Sequence, residues 1–252
     1  MIETHRREGH ATLDLGTREA KGRKIERLLR PTPPHGGRLL EVGTGAGGIA
    51  YYFARVSPYA FRVDAVDVED RRQVTEGYRF TPVDSTALPF DANTFDVVVS
   101  NHVIEHVGDR EAQLDHLREI GRVLRDSGVA YLAVPNRWML VEPHFRVPFL
   151  SWWPSSLRSP WLRLWGKGRV YDCEPLQLRE LQALVAQAGL DGEVVSVQAF
   201  RAWMDIESPR GIIARTIARI PDRWLERIRG AIPTHVCLLS VRDERLGTIS
   251  AR

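Results

Sequence analysis

Two cysteines in 252 residues, Cys173 and Cys237, match no metal or redox spacing. They exclude a disulfide-built secreted module and point to a reducing compartment. No apolar run reaches membrane-spanning length, and Met1 to His10 is polar and charged, without a signal-peptide core. These absences predict a cytoplasmic protein. An excess of one charge is also missing: 35 Lys and Arg against 32 Asp and Glu leave +3, too little to require nucleic acid. Acids and histidines are scattered without ligand spacing, so no metal is expected. What remains is an ordinary soluble composition in a chain long enough to bury a full core. The reading is a single domain over 1–252.

Against that plain background one stretch stands out, Arg38-Leu39-Leu40-Glu41-Val42-Gly43-Thr44-Gly45-Ala46-Gly47-Gly48-Ile49. An apolar run, a glycine cluster and a helix-compatible segment predict strand, tight turn and helix. Glycines let the backbone approach a ligand closely, and the helix start presents free N–H groups to it. Gly43, Gly45 and Gly48 fit the dinucleotide pattern G-x-G-x-x-G. Glu41, Gly43, Gly45 and Gly47 equally fit the E-x-G-x-G-x-G loop of S-adenosylmethionine methyltransferases. Alone, the loop decides neither, nor does it exclude a ligand-free turn.

Thr17 to Arg30 reads as a basic helix ended by Pro31, Pro33 and Pro34, within an N-terminal helical segment over 1–36. Arg62 to Val68 alternates like a strand and carries Asp67 at its end, about 20 residues past the glycines, where a carboxylate accepts hydrogen bonds from a ribose. A short helix, Glu69 to Glu76, is expected next. Tyr78 to Val83 is a third strand, ended by Asp84-Ser85. Phe95 to Ser100 is apolar enough to be buried on both faces. Asp109 caps a helix to Leu124, and Gly128 to Val134 forms the fifth strand, after a turn at Arg125-Asp126-Ser127-Gly128.

Leu40-Glu41-Val42-Gly43-Thr44-Gly45-Ala46-Gly47, Asp67, Asp84 with Ala87-Leu88-Pro89-Phe90, Phe95-Asp96-Val97-Val98 and Glu105-His106-Val107 together make the resemblance specific. Over Gly37 to Asn136 the chain resembles class I S-adenosylmethionine-dependent methyltransferases of the group that includes the ubiquinone and menaquinone biosynthesis enzymes. The resemblance implies an α/β, Rossmann-like, doubly wound seven-stranded sheet with the last strand antiparallel, and S-adenosylmethionine as cofactor. It implies that Glu41 and the backbone of Gly43, Thr44, Gly45 and Gly47 hold the methionine end, and that Asp67, beside Val68, holds the ribose. Asp84 and Ser85 would meet the adenine, and Ser100, Asn101 and His102 would close the pocket.

Beyond Asn136 the pattern fades. Five of the seven tryptophans (Trp138, Trp152, Trp153, Trp161, Trp165) crowd a proline-broken, arginine-rich stretch, a cap insertion over 137–174 after the fifth strand. A helix from Pro175 to Ala188 and a sixth strand, Glu193 to Val197, follow. A helical insertion over 203–230 comes next, and His235 to Val241 is the last strand. Both insertions leave the carboxyl ends of parallel strands, where ligands sit, so both are expected to cover the acceptor. The tryptophans fit three roles: closing over a small molecule, peripheral membrane contact at the headgroup level, or packing and a homodimer contact.

Methyl transfer mainly requires alignment of acceptor and methyl group, and an oxygen acceptor also needs a base. His144 is the first candidate and His106 the second. The expectation is O-methylation of an apolar or lipid-linked small molecule, with C- or N-methylation the alternative. A nicotinamide-dependent oxidoreductase and a non-catalytic cofactor-binding subunit are the rivals from other classes.

Overall fold

A computed structural model of the protein describes residues 15–142, 145–207 and 219–242. In chain order its main elements are α1 (Leu15–Leu28), β1 (Arg38–Val42), α2 (Gly48–Tyr51, continued by a π-helical turn), β2 (Arg62–Asp67), β3 (Arg79–Pro82), β4 (Phe95–Asn101), α3 (Arg110–Val123) and β5 (Leu124–Pro135). The cap segment holds β6 (Val141–Glu142), β7 (Val147–Pro148) and α4 (Ser155–Leu164). Then come α5 (Leu178–Gln187), β8 (Leu190–Val194), α6 (Ser196–Glu207), α7 (Asp222–Arg227) and β9 (Thr234–Val241).

Seven strands form one sheet in the order β3-β2-β1-β4-β5-β9-β8. β1 to β5 are parallel, and β9 runs antiparallel to both β5 and β8. This is the expected doubly wound sheet with its last strand reversed. The apolar runs of β1, β2 and β4 are buried on both faces, as a covered parallel sheet requires. Leu40, Val98 and Leu132 pack with α3 and α5 on one side. Leu39, Val97, Val99 and Tyr131 pack with α1, α2 and α6 on the other. Asp109 caps α3 by accepting a hydrogen bond from the Ala112 N–H at 3.0 Å.

Three expectations are corrected. No helix follows Asp67. Asp70 accepts the Arg72 N–H in a local turn, and the Gln73 and Val74 N–H groups both donate to the Ala46 carbonyl, so these donors are spent outside a helix. The sixth strand lies at Leu190–Val194, and Ser196 opens the helix α6. The valine-rich run Val194-Val195-Ser196-Val197 looks like strand, but the ladder with β9 ends at Val194, and after one further bond from the Val195 N–H to the Val236 carbonyl the chain turns into α6. Arg125 to Gly128 lies inside β5, where the register against β4 shifts. Of the expected helical insertion over 203–230, residues 203–207 are the end of α6, α7 lies within 219–230, and 208–218 lies outside the described residues.

α1 lies across α2 because Gly22 leaves room for Tyr52: a Cβ there would stand 2.4 Å from the Tyr52 ring. Tyr52 Oη then donates to Glu26 Oε2 at 2.9 Å. Helix propensity alone makes Gly22→Ala stabilising by ~1 kcal/mol. The overlap costs ~1–3 kcal/mol, so denaturant unfolding is expected to give a net loss; a gain would mean the contact relaxes freely.

Candidate active site

The glycine loop turns off the end of β1 with Gly43, Gly45 and Gly47 all at positive φ. A Cβ on Gly43 would stand 2.3 Å from Val103 Cγ2, so the loop approaches the segment after β4 only as glycine. A Cβ on Gly47 would meet Tyr78 Oη and the Val74 carbonyl, each at 2.3 Å, which makes Gly47 the seat for the 69–78 loop. Thr44 turns inward, its Oγ1 donating to the Val66 carbonyl at 3.1 Å. Asp67 ties the loop to β2: Oδ2 accepts the Gly45 N–H at 2.8 Å, and Oδ1 accepts the Val68 N–H at 2.7 Å.

Glu41 lies beneath this loop, buried, with Oε2 unpartnered. Burial pushes its carboxyl up to about 8, against the opposing pull of the Arg18 guanidinium and the Ala50 backbone. Arg18 comes from α1; its Cβ sits 2.5 Å from where a Cβ on Gly48 would lie. A half-satisfied buried carboxyl beside a glycine cradle suits the amino group of an amino-acid-like ligand, which would draw Glu41 into its ionised form.

The loop opens into a cavity of about 1180 Å³. Of the expected cofactor residues, Gly43, Gly45, Asp67, Val68, Asp84, Ser85, Asn101 and His102 line it. Glu41, Thr44, Gly47 and Ser100 stand behind its wall; Ser100 is fully buried, its Oγ 3.0 Å from His116 Nε2. His102 adopts a left-handed backbone, with Nδ1 3.3 Å from Glu105 Oε1. Burial opposes ionisation of Glu105, but the hydrogen bond from His102 and the positive fields of His102 and His106 outweigh it and hold its carboxyl low.

The two candidate bases separate here. His144 lies outside the described residues. His106 lines the cavity, closing a 3-10 turn over Ile104–His106, with Cys173 Sγ 3.7 Å from its Nδ1. Burial drives the Cys173 thiol strongly upward, so it is protonated and packs as a weak donor beside His106 and Asp172.

Further walls of the cavity come from residues to which the sequence analysis gave no role of their own, although Trp203 and Met204 fall in the expected 203–230 insertion. α1 supplies Arg18, Lys21 and Lys24, and α6 supplies Phe200, Trp203 and Met204. Helical spacing on both segments is the signal that marks these faces. The cap meets the cavity only through Arg146 and Asp172 among the described residues. None of its five tryptophans lines it: Trp138, Trp152, Trp153 and Trp165 are exposed, and Trp161 packs on the cap's own small core. The cap thus borders the cavity at these two positions among the described residues, the 203–230 segment borders it through Trp203, Met204 and Glu207, and the cavity's aromatic wall comes from α6.

The charge at Glu41 makes a pH prediction. With the folded value above the ordinary 4.5, the unfolded carboxyl ionises first, so this group's contribution to stability falls as pH rises from that value toward about 8. The difference in thermal midpoint between wild type and Glu41→Gln, measured across that window, is expected to move in favour of Gln as pH rises. A constant difference would mean Glu41 ionises normally.

A model of the methyltransferase domain family matches residues 13–196. Among curated relatives, a ubiquinone biosynthesis O-methyltransferase of Cereibacter sphaeroides is 28% identical over 188 residues, covering 71% of this chain and 70% of that one. Another of that name, from Methylocella silvestris, is 33% identical over 126 residues, covering 45% of this chain and 47% of its own. A solved S-adenosylmethionine-dependent methyltransferase of Methanosarcina mazei shares the fold, with TM-score 0.53 and 16% identity over 87% of this chain and 97% of its own. A TehB-like methyltransferase of Corynebacterium glutamicum does so with TM-score 0.51 and 16% identity, covering 88% of each. With the glycine cradle, the half-satisfied Glu41 and Asp67 in place, the chain belongs to the methyltransferase domain family, as a class I enzyme that uses S-adenosylmethionine.

Proposed function

We propose that the enzyme methylates an oxygen of a small, largely apolar acceptor bound between α1 and α6. The observation that carries this reading is the wall formed by Phe200, Trp203 and Met204, with the Phe200 and Trp203 rings 5.7 Å apart, in the same cavity as the glycine loop and His106. The O-methyltransferase names of the curated relatives support the choice of oxygen. When bound, S-adenosylmethionine supplies an electrophilic methyl group. Glu41, the glycine loop, Asp67 and Asp84 would hold it and fix its orientation. The α6 wall excludes water and orients the acceptor, so that alignment provides much of the rate.

Removal of the acceptor's proton falls to His106 on the cavity wall or to His144. Alanine at the base is expected to keep affinity for S-adenosylhomocysteine and lower turnover at least about tenfold. If neither His106→Ala nor His144→Ala changes turnover, the acceptor is a carbon or nitrogen that needs no base from these residues. The direct test is methyl transfer from labelled S-adenosylmethionine into an extract of the source cells, acidified and partitioned. Label in the organic phase is expected; label confined to the aqueous phase would replace the apolar acceptor with a polar one.

The lipid-linked form of the reading rests on the cap. Trp138, Phe149 and Trp152 form edge-to-face pairs at 5.7 and 5.0 Å, with Leu140 63% and Leu164 75% exposed nearby in the chain. Arg137 lies over Trp138, and exposed tryptophan with arginine suits an anionic headgroup layer. The protein is expected to sediment with anionic vesicles at low salt, and Trp152→Ala to weaken this. A protein that stays in the supernatant would remove the membrane contact and leave the transfer reaction intact.

A further inference from the structure

We propose that the acceptor carries an acidic group, a carboxylate or phosphate, seated on Lys21. The inference rests on the methyl-transfer reading and names the chemistry of its substrate. It comes from the charges along one face of α1. Arg18, Lys21 and Lys24 all line the cavity, and a three-residue step is about 4.5 Å along the helix. The first and last of these cations have counterparts. Arg18 stands at the glycine loop in the field of Glu41. Lys24 Nζ lies 3.8 Å from Glu207 Oε1, while Glu207 Oε2 accepts a hydrogen bond from Trp203 Nε1 at 2.8 Å.

Lys21 lies between them with no hydrogen bond or ion pair to an acid among the described residues. Burial first, and then Arg18 and Lys24, push its ammonium down to about 8, against the opposing pull of Glu207. A partly buried cation between two others is costly unless an anion meets it. α1 and α6 pack together and both line the cavity, so the ammonium and the Phe200–Trp203 pair border one space. That combination fits an amphipathic acid, its apolar body on α6 and its anionic head on Lys21. Arg18, nearer the glycines, is left for the cofactor.

Two measurements test this. Product labelled from S-adenosylmethionine in the source-cell extract is passed over an anion exchanger at neutral pH. Retained label supports an acidic acceptor, and its release by phosphatase identifies the phosphate form. Label that flows through overturns the proposal and leaves methyl transfer standing. The second compares Lys21→Met and Lys21→Arg at limiting extract. Met is expected to lower incorporation about tenfold or more, Arg to retain most of it, and both to bind S-adenosylhomocysteine within about threefold of wild type. That cofactor affinity also reports that the variants are folded. A Lys21→Met protein that loses cofactor affinity would give Lys21 to the cofactor and overturn the proposal. An extract with no labelled product in any fraction, from a protein that binds S-adenosylhomocysteine, would overturn the methyl-transfer reading itself.

Discussion

The carboxylate of Asp67 holds together the parts that make a site. One oxygen takes the Gly45 N–H and the other the Val68 N–H, so the glycine loop after β1 and the end of β2 are fixed by one residue. The loop's other anchors, Gly43 and Thr44 on the Val66 carbonyl, also lead to β2. A glycine loop without such ties would lose its shape through the freedom that makes glycine useful. Because β1 and β2 are adjacent parallel strands, the tie lies at their carboxyl ends, where the sheet leaves a crevice. The position of the cavity follows from strand order, and its cofactor side follows from one acid.

A second constraint is the burial of Glu41. A carboxyl with an orphan oxygen in the interior is tolerated only where a ligand or a cation answers it. Part of the answer is Arg18, and Arg18 is in place only because α1 crosses α2 at Gly22. The N-terminal helix therefore belongs to the site. Its contacts with α6 carry the same role outward, since Lys24 and Arg27 pair with Glu207 and Asp205 at the end of that helix. The two helices close one side of the cavity as a unit.

How much was legible depends on whether the signal was local. Gly43, Gly45, Asp67 and Asp84 border the cavity because each lies at or just past the carboxyl end of a parallel strand, while Glu41 lies within β1 itself. The five parallel strands were readable because their signal was local. The segment after Asp67 was misread as helix because Asp70 and Ala46 take its backbone donors, and Ala46 is more than twenty positions away in the chain. The boundary at Val194-Val195-Ser196-Val197 is hidden because valines favour strand until a partner runs out, and the β9 ladder ends at Val194 with one further bond from the Val195 N–H. Helical spacing marks the faces that carry Lys21, Lys24, Phe200 and Trp203, but that both faces border one cavity depends on α1 meeting α6.

The tryptophans show why composition misleads about place. A dense aromatic cluster suggests a pocket, yet the cap packs Phe145, Val147, Leu150, Leu162 and Tyr171 into a core of its own and leaves four tryptophans outside. None of these four lines the cavity. The cavity takes its aromatic wall from α6 instead, with one tryptophan whose indole N–H is held by Glu207. A ring fixed in that way keeps one face for an acceptor, whereas rings stacked edge to face on an exposed surface offer a broad apolar area. The two aromatic surfaces thus differ in construction: Trp203 is pinned by Glu207 on the cavity wall, while the cap's rings stack edge to face on the exterior.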